Sequence, residues 1–239
     1  MKDRKELFNK FFSAGFEQVN RGDAGYAHHF EFYAKNFGSF LPESKKAKIL
    51  DIGCGLGQFL FYIDKIGYIN YEGVEISKEM YDYTRTNVTK KVKLISDLEW
   101  YLKRKKDTFD LIVFNDVIEH WEKEKVIPYL KLIRSALKKN GRVLIKTNNV
   151  AASTGARMRF EDFTHEWSFT PYSLRQVMLV SGFKEVEIKS FLLPLNSPFR
   201  LFRRILQVVL HLIWRLVYWT EYTTQPEVVH EFMYVTARK

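Results

Sequence analysis

Three short groups of residues carry the types and spacings that chemistry needs. The first is Asp51-Ile52-Gly53-Cys54-Gly55-Leu56-Gly57. Glycine at these steps lets a backbone turn tightly and approach a ligand with no Cβ in the way. A dinucleotide fingerprint needs G-x-G-x-x-G, with a pyrophosphate on the following helix N-terminus. Here the third glycine comes one residue early and Asp51 ends the preceding apolar run. An acid there suits a ligand carrying an ammonium group better than one carrying a diphosphate. The second group is Glu75-Ile76, where the acid can accept both hydroxyls of a ribose and Ile76 would lie beside the base. In the third, Ser96-Asp97-Leu98, a side chain or backbone amide can reach an adenine. Histidine, which titrates near neutral pH, supplies proton acceptors. There are six: His28, His29, His120, His165, His211 and His230.

The elements around these groups alternate strand and helix, which argues for an α/β sheet with parallel strands. Lys48–Ile52 reads as a buried strand, and Gln58–Ile66 as a helix closed by Gly67. Tyr71–Glu75 is a second strand, and Ser77 caps a helix over Lys78–Asn87. Strands follow at Val92–Ile95 and Phe109–Phe114. A helix over Lys123–Lys138 stops at Asn140-Gly141, and a strand runs Arg142–Thr147. Residues 150–170 read as a long loop, and such loops are often functional. Ser173–Val180 is a helix stopped by Gly182, Phe183–Lys189 a sixth strand, and Val228–Thr236 a seventh. Residues 1–44 form a helical preface with an aromatic run at Tyr26, His28, His29, Phe30 and Phe32. The whole, 1–239, is read as a single domain: preface 1–44, cofactor-binding core 45–190, amphipathic insertion 191–226, last strand 227–239.

Composition excludes several classes. Of 239 residues, 46% are hydrophobic and 16% aromatic, which argues against disorder, collagen and low-complexity chains. The single cysteine, Cys54, excludes an intramolecular disulfide framework and a Cys-cluster zinc site, and fits a reducing, cytoplasmic compartment. The start, MKDRKELFNKFF, has no apolar stretch of signal-peptide length, and no window of 18 uncharged apolar residues suggests a membrane span.

The glycine loop, Glu75, Asp97-Leu98 and the segment FDLIVFNDVIEH (Phe109–His120) together resemble class I S-adenosylmethionine-dependent methyltransferases. The resemblance covers most of residues 48–190. It implies a Rossmann-like sheet of seven strands, mostly parallel with the last antiparallel, and helices on both faces. It also implies S-adenosylmethionine as cofactor and S-adenosylhomocysteine as product. On that likeness Asp51 and Gly53 would face the methionine part, with Gly55 and Gly57 closing under it and Cys54 counted in the same loop. Glu75 would hold the ribose with Ile76 beside it. Asp97 and Leu98 would meet the adenine, and Asn115 and Asp116 would line the methionine end. The alternative is a Rossmann-like sheet that has lost its cofactor.

Methyl transfer to a neutral hydroxyl also needs its proton removed. His165, in the long loop with Asp162, Thr164 and Glu166, is the first candidate base, and His120 the second. Asp116-Val117-Ile118-Glu119-His120 resembles the E-x-x-E-H pattern of ubiquinone O-methyltransferases and of small-RNA 2′-O-methyltransferases, in which such acids and histidines hold a divalent ion. Here the first acid is Asp, and Trp121 stands where the RNA group has a second histidine. A divalent metal is therefore a secondary expectation. His28 and His29 are candidates for a lid, or for a helix packed on the sheet edge.

Residues 199–219 are apolar except for Arg200, Arg203, Arg204, Gln207, His211 and Arg215, which share one helical stripe. No acid occurs between Glu187 and Glu221, so half of the net charge of +10 lies there. The segment fits a membrane interface with arginines toward anionic headgroups, a cover over the acceptor or a homodimer contact, or a core helix. A nucleic-acid patch fits poorly, because the basic residues are interleaved with aliphatic ones. The phrases Phe160–His165, Phe169–Leu174 and Ser181–Phe183 resemble a subgroup of bacterial methyltransferases associated with surface-polysaccharide and lipid-linked glycan biosynthesis. The reading is a small-molecule or glycan-precursor O-methyltransferase. The alternatives are a metal-assisted RNA or quinone O-methyltransferase, an N-methyltransferase, and a cofactor-binding scaffold without turnover.

Overall fold

A computed structural model describes residues 6–8, 10, 13 and 23–239. Most of the first half of the expected preface lies outside the described residues. The described elements run, in order, α1 (Asp23–Phe37), β1 (Ile49–Ile52), α2 (Gln58–Lys65), β2 (Tyr71–Glu75), α3 (Lys78–Asn87), β3 (Val92–Leu94), α4 (Leu98–Lys103) and β4 (Phe109–Asn115). There follow a 3-10 turn (Ile118–His120), α5 (Lys123–Ala136), β5 (Leu137–Asn148), α6 (Gly155–Phe160), α7 (Pro171–Val180), β6 (Lys184–Ser190), α8 (Pro198–Tyr222) and β7 (Phe232–Arg238).

The strands form one sheet in the order β3-β2-β1-β4-β5-β7-β6. β1 to β5 are parallel, and β7 runs antiparallel between β5 and β6. The order reverses between β1 and β4, so the switch point where such sheets bind ligands lies at the carboxyl ends of those two strands. Alternate residues feed two apolar layers. Ile49, Leu111, Val113 and Leu144 meet Tyr33 and Phe37 of α1 and Phe59 of α2. Leu50, Ile112, Phe114 and Ile145 meet Leu130 and Ile133 of α5 and Leu174 of α7.

Four expectations change. Within the expected loop 150–170, Gly155–Phe160 forms the helix α6. Residues 98–103 also form a helix, because Asp97 caps it and Leu98, Tyr101 and Leu102 bury its one apolar side. The helix expected to reach Lys138 ends at Ala136, and Leu137 already pairs with Phe109. Asn140, at φ +64°, and Gly141 form a bulge that shifts register before Arg142 meets Leu111, so this helix-stop signal is spent inside a strand. The last strand starts at Phe232 rather than Val228; the Asn149 amide holds the Val228 and His230 carbonyls in a buried loop at 2.9 Å each. Finally, α8 has no buried residue, which removes the core-helix reading of 199–219.

Candidate active site

The glycine loop leaves β1 at the switch point. Gly53 N–H (2.8 Å) and Cys54 N–H (3.1 Å) both donate to Val74 O, which clamps the loop to β2. Gly53 sits at φ +64°, and a Cβ there would lie 2.6 Å from Val117 Cγ2. Gly57 caps α2 at φ +80°, where a Cβ would meet Thr84 of α3 at 2.8 Å. Gly55 donates to Glu75 Oε2 (2.8 Å), and its carbonyl accepts from Thr84 Oγ1 (2.6 Å). The Cys54 thiol is buried under the loop; a Cβ on Gly73 would stand 2.8 Å from its Sγ, so it fills the gap that Gly73 leaves.

Glu75 is buried at the end of β2. Its Oε1 accepts from Ile76 N (2.7 Å) and Ser77 N (2.8 Å). Burial raises its pKa, and these amide bonds oppose the rise. Asp51, on the neighbouring strand, is also buried, and its carboxylate takes no hydrogen bond from a described residue. Burial and the Glu75 charge hold its carboxyl well above the usual range. Two buried acids beside a cradle of positive-φ glycines call for a cation and hydroxyl donors. Asn115 Oδ1, at the end of β4, is likewise buried without a partner among the described residues. Ribose hydroxyls and an ammonium group complete this donor set chemically, so the residues present fit an aminoacyl nucleoside. At the far end, Ile76 is exposed on the rim. The Asp97 side chain is occupied in capping α4 through Glu99 N (2.7 Å) and Trp100 N (3.1 Å), and Leu98 packs in the core.

The acceptor side is built from β4, β5 and two loops. Asn115 pairs in register with Lys146, so Lys146 and Asn148 stand on the same sheet face as Asn115. Asp116, at φ +54°, pairs with Lys146 Nζ at 2.5 Å. Asn148 is buried with both side-chain polar atoms unpartnered among the described residues. The half-buried His29 on α1 reaches this corner; burial first, then Lys146, pushes its pKa down to about 4. Tyr26, on the same helix, donates to Leu56 O at 2.7 Å and so ties α1 to the glycine loop. α1 thus covers the cofactor loop and packs on α2 at once. Lys146 and Asn148 escaped the sequence reading; the only signal was the polar Thr-Asn-Asn closing an apolar strand.

Across the sheet, Glu119 turns away from this corner. It is buried and accepts from Thr147 Oγ1 (3.0 Å); burial and Asp116 raise its pKa to about 8. Its backbone carbonyl accepts from Glu166 N (2.9 Å) and Trp167 N (3.1 Å). Those two bonds bring the long loop onto the 3-10 turn and set the His120 and His165 rings 4.9 Å apart. Phe8, from the preface, meets the His120 ring edge-on.

The proton positions follow from the partners. Thr164 Oγ1 donates its one hydrogen to Asp162 Oδ1 (2.7 Å), so toward His120 Nδ1 (2.7 Å) it can only accept. His120 therefore carries its proton on Nδ1 and a lone pair on Nε2. His165 Nδ1 faces Met158 O at 3.0 Å and must donate there, which again puts the lone pair on Nε2. Burial first, and His165 second, push the His120 pKa down to about 4, so it is neutral at pH 7. Ligand atoms of His120, Asp162 and His165 lie within 4.8 Å of one another, a set that could hold a metal ion. Among the described residues, neither Asp116 nor Glu119 joins that set.

This switch-point cradle on a sheet with an antiparallel seventh strand defines the class I S-adenosylmethionine-dependent methyltransferases. Residues 26–188 match the methyltransferase-domain family, and the chain belongs to it. It resembles an S-adenosylmethionine-dependent methyltransferase from Archaeoglobus fulgidus (TM-score 0.66, 22% identity, 94% of this chain and 98% of that one covered). An S-adenosylmethionine-dependent methyltransferase from Thermotoga maritima is similar (TM-score 0.65, 17% identity, 97% and 99% covered). So is phosphoethanolamine N-methyltransferase 2 of Haemonchus contortus in complex with S-adenosylmethionine (TM-score 0.61, 18% identity, 97% and 60% covered). At these identities the likeness establishes the fold. No curated protein matches the sequence. The chain is a methyltransferase whose cofactor is S-adenosylmethionine.

Proposed function

We propose that the protein methylates an oxygen of a small-molecule or glycan-precursor acceptor, with His165 taking the proton. The cofactor, when bound, supplies a methyl carbon already activated by its sulfonium, so the chain's own work is alignment and proton removal. Asp51 would meet the ammonium end, Glu75 the ribose, and Asn115 the methionine portion. Asp97 and Leu98 would act at the adenine end through the backbone they fix.

The observation that carries the oxygen assignment is the Asp162–Thr164–His120 relay beside His165 at the carboxyl edge. An amine acceptor needs less from such an arrangement. A base works best with a pKa near the working pH, which disfavours His120 at about 4 and leaves it to orient the acceptor or His165. The glycan class rests on the likeness of Phe160–His165, Phe169–Leu174 and Ser181–Phe183 to glycan-associated methyltransferases. A second reading draws on the same cluster. Each histidine donates its Nδ1–H to an oxygen, as metal-ligating histidines do, and Asp162 completes a three-ligand set for a divalent ion.

The test incubates the enzyme and methyl-labelled S-adenosylmethionine with bacterial extract fractionated into RNA, nucleotide-linked small molecules and solvent-extractable lipid, with and without EDTA. Label in the small-molecule or lipid pool, indifferent to EDTA, is expected. Label in the same pool but lost with EDTA selects the metal reading. Label in RNA refutes the acceptor class, and no label with intact cofactor binding refutes turnover on these pools.

A further inference from the structure

We propose that α8 is an interfacial membrane helix mounted with its polar stripe on the domain and its apolar arc toward a lipid bilayer. Both faces of the helix support this. Most of the polar stripe is spent inward, with Arg203 alone among its arginines exposed. Arg204 Nη1 lies 2.8 Å from His230 Nε2, Arg200 Nη1 3.4 Å from Glu31 Oε2, and Arg215 donates to Pro226 O at 3.1 Å. Two aromatic residues on the same side staple the helix to one carbonyl: Trp214 Nε1 (2.9 Å) and Tyr218 Oη (3.1 Å) both donate to Ala151 O. Arg200, Arg204 and Arg215, expected to face headgroups, therefore face the protein instead, and the arc they leave outward is apolar.

The outward face is large. At about 100° per residue, the positions from Leu201 to Val217 without polar side chains sweep an arc of roughly 200°. Leu201, Ile205, Val209, Leu212, Ile213 and Leu216 belong to it, and the exposure of its residues runs from 41% to 63%. Over about 25 Å of helix, these half-exposed apolar side chains present on the order of 1,000 Å² of continuous apolar surface, beyond the few hundred Å² of an ordinary monomer patch.

What covers it follows from its width and chemistry. A second copy pairing through α8 would use a narrow seam, two positions in seven, and leave most of the arc wet. A protein interface of this area also carries about one hydrogen bond per 100–200 Å², whereas the arc between Leu201 and Val217 offers no polar side chain. A hydrocarbon phase needs neither seam nor hydrogen bonds. The helix does not cross it: no described helix is long and apolar enough to span a membrane. Aromatics stand at both ends of the arc, Phe199 and Phe202 at one and Trp219 and Tyr222 at the other, as suits residues at a lipid–water boundary. Arg203, exposed beside the arc, and the chain's net charge of +10 favour an anionic surface.

The same geometry ties the methyltransferase site to that surface. Ala151, which holds Trp214 and Tyr218, begins the segment of α6 and loop that carries His165, and that segment exposes Phe160 and Phe163 at 81% and 94%. The proposal is independent of which acceptor is methylated.

The whole 239-residue chain is floated with phosphatidylcholine–phosphatidylglycerol vesicles and compared with the triple variant Val209→Gln, Ile213→Gln, Leu216→Gln. These residues are exposed and glutamine is a good helix former, so the variant keeps its helicity and its S-adenosylhomocysteine binding. The wild type is expected to float, and the variant to partition on the order of a hundredfold less. A wild type that stays with the aqueous phase overturns the proposal, as does equal flotation of both proteins. So does a lipid-free dimer in sedimentation velocity that the triple variant dissociates and that vesicles do not.

Discussion

Replacing Glu75 by Gln is the sharpest test of the cofactor cradle, because the structure fixes what the swap does. The carboxylate accepts three backbone N–H groups, two on Oε1 and one on Oε2. A carboxamide keeps one acceptor oxygen and must aim its NH₂ at the remaining donor. The least costly orientation keeps Ile76 and Ser77 and confronts Gly55, the middle glycine of the loop. One bond to a charged acceptor, about 1.5–3 kcal/mol, is then lost, and the two others weaken by about 1 kcal/mol each as the charge goes. Removing a buried charge that faces Asp51 returns about 1–2 kcal/mol. The net is about 3 kcal/mol of destabilisation, a fall of roughly 6–12 °C in Tm for a chain this long. Circular-dichroism melts with and without S-adenosylhomocysteine measure both roles. Wild type gains about 2.7 kcal/mol with ligand at a hundred times Kd, and the variant is expected to lose that gain. An unchanged apo Tm would refute the carboxylate as the strut of the loop. A lowered apo Tm with the ligand shift intact would make Glu75 a strut only and sink its ribose role.

The other predictions concern the acceptor side and α8. His165→Ala should bind S-adenosylhomocysteine normally and turn over about 10²–10⁴-fold more slowly; unchanged turnover removes it as base. Thr164→Val deprives His120 Nδ1 of its acceptor and should lower kcat at least tenfold by the same reasoning, with cofactor binding unaffected. Asn148→Leu removes a buried amide that has no partner among the described residues, so the apo Tm should rise while turnover falls; a lower Tm would mean the amide is already satisfied. The docking of α8 should be acid-sensitive. His230 is held down to about 4 by burial, with His211, Arg204 and Arg215 all facing it. A base with a depressed folded pKa leaves stability intact above its unfolded value of 6.5 and erodes it as pH falls from there toward 4. Tm should therefore decline between pH 6.5 and 4, and the decline should be shallower in His230→Asn.

The sequence by itself determined the parts whose physics is local. A buried run ending in Asp51, glycines where only positive φ will serve, and Glu75 at the next strand end fixed the cradle. The Ser77 cap was equally legible, because it concerns a few neighbouring residues. Tertiary structure decided whatever had competing partners. Asn140-Gly141 can stop a helix or make a bulge, and pairing with β4 chose the bulge. Asp97 can cap a helix only if one follows, and burial of Leu98 and Leu102 made the helix. His120 and His165 are far apart in the chain, and two amides on the Glu119 carbonyl bring them together. The arginine stripe of α8 could be read from its period, but not its direction. Direction depends on which surface offers acceptors, and here Glu31, Gln225 and the Pro226 carbonyl turned the stripe inward and left the apolar arc outside.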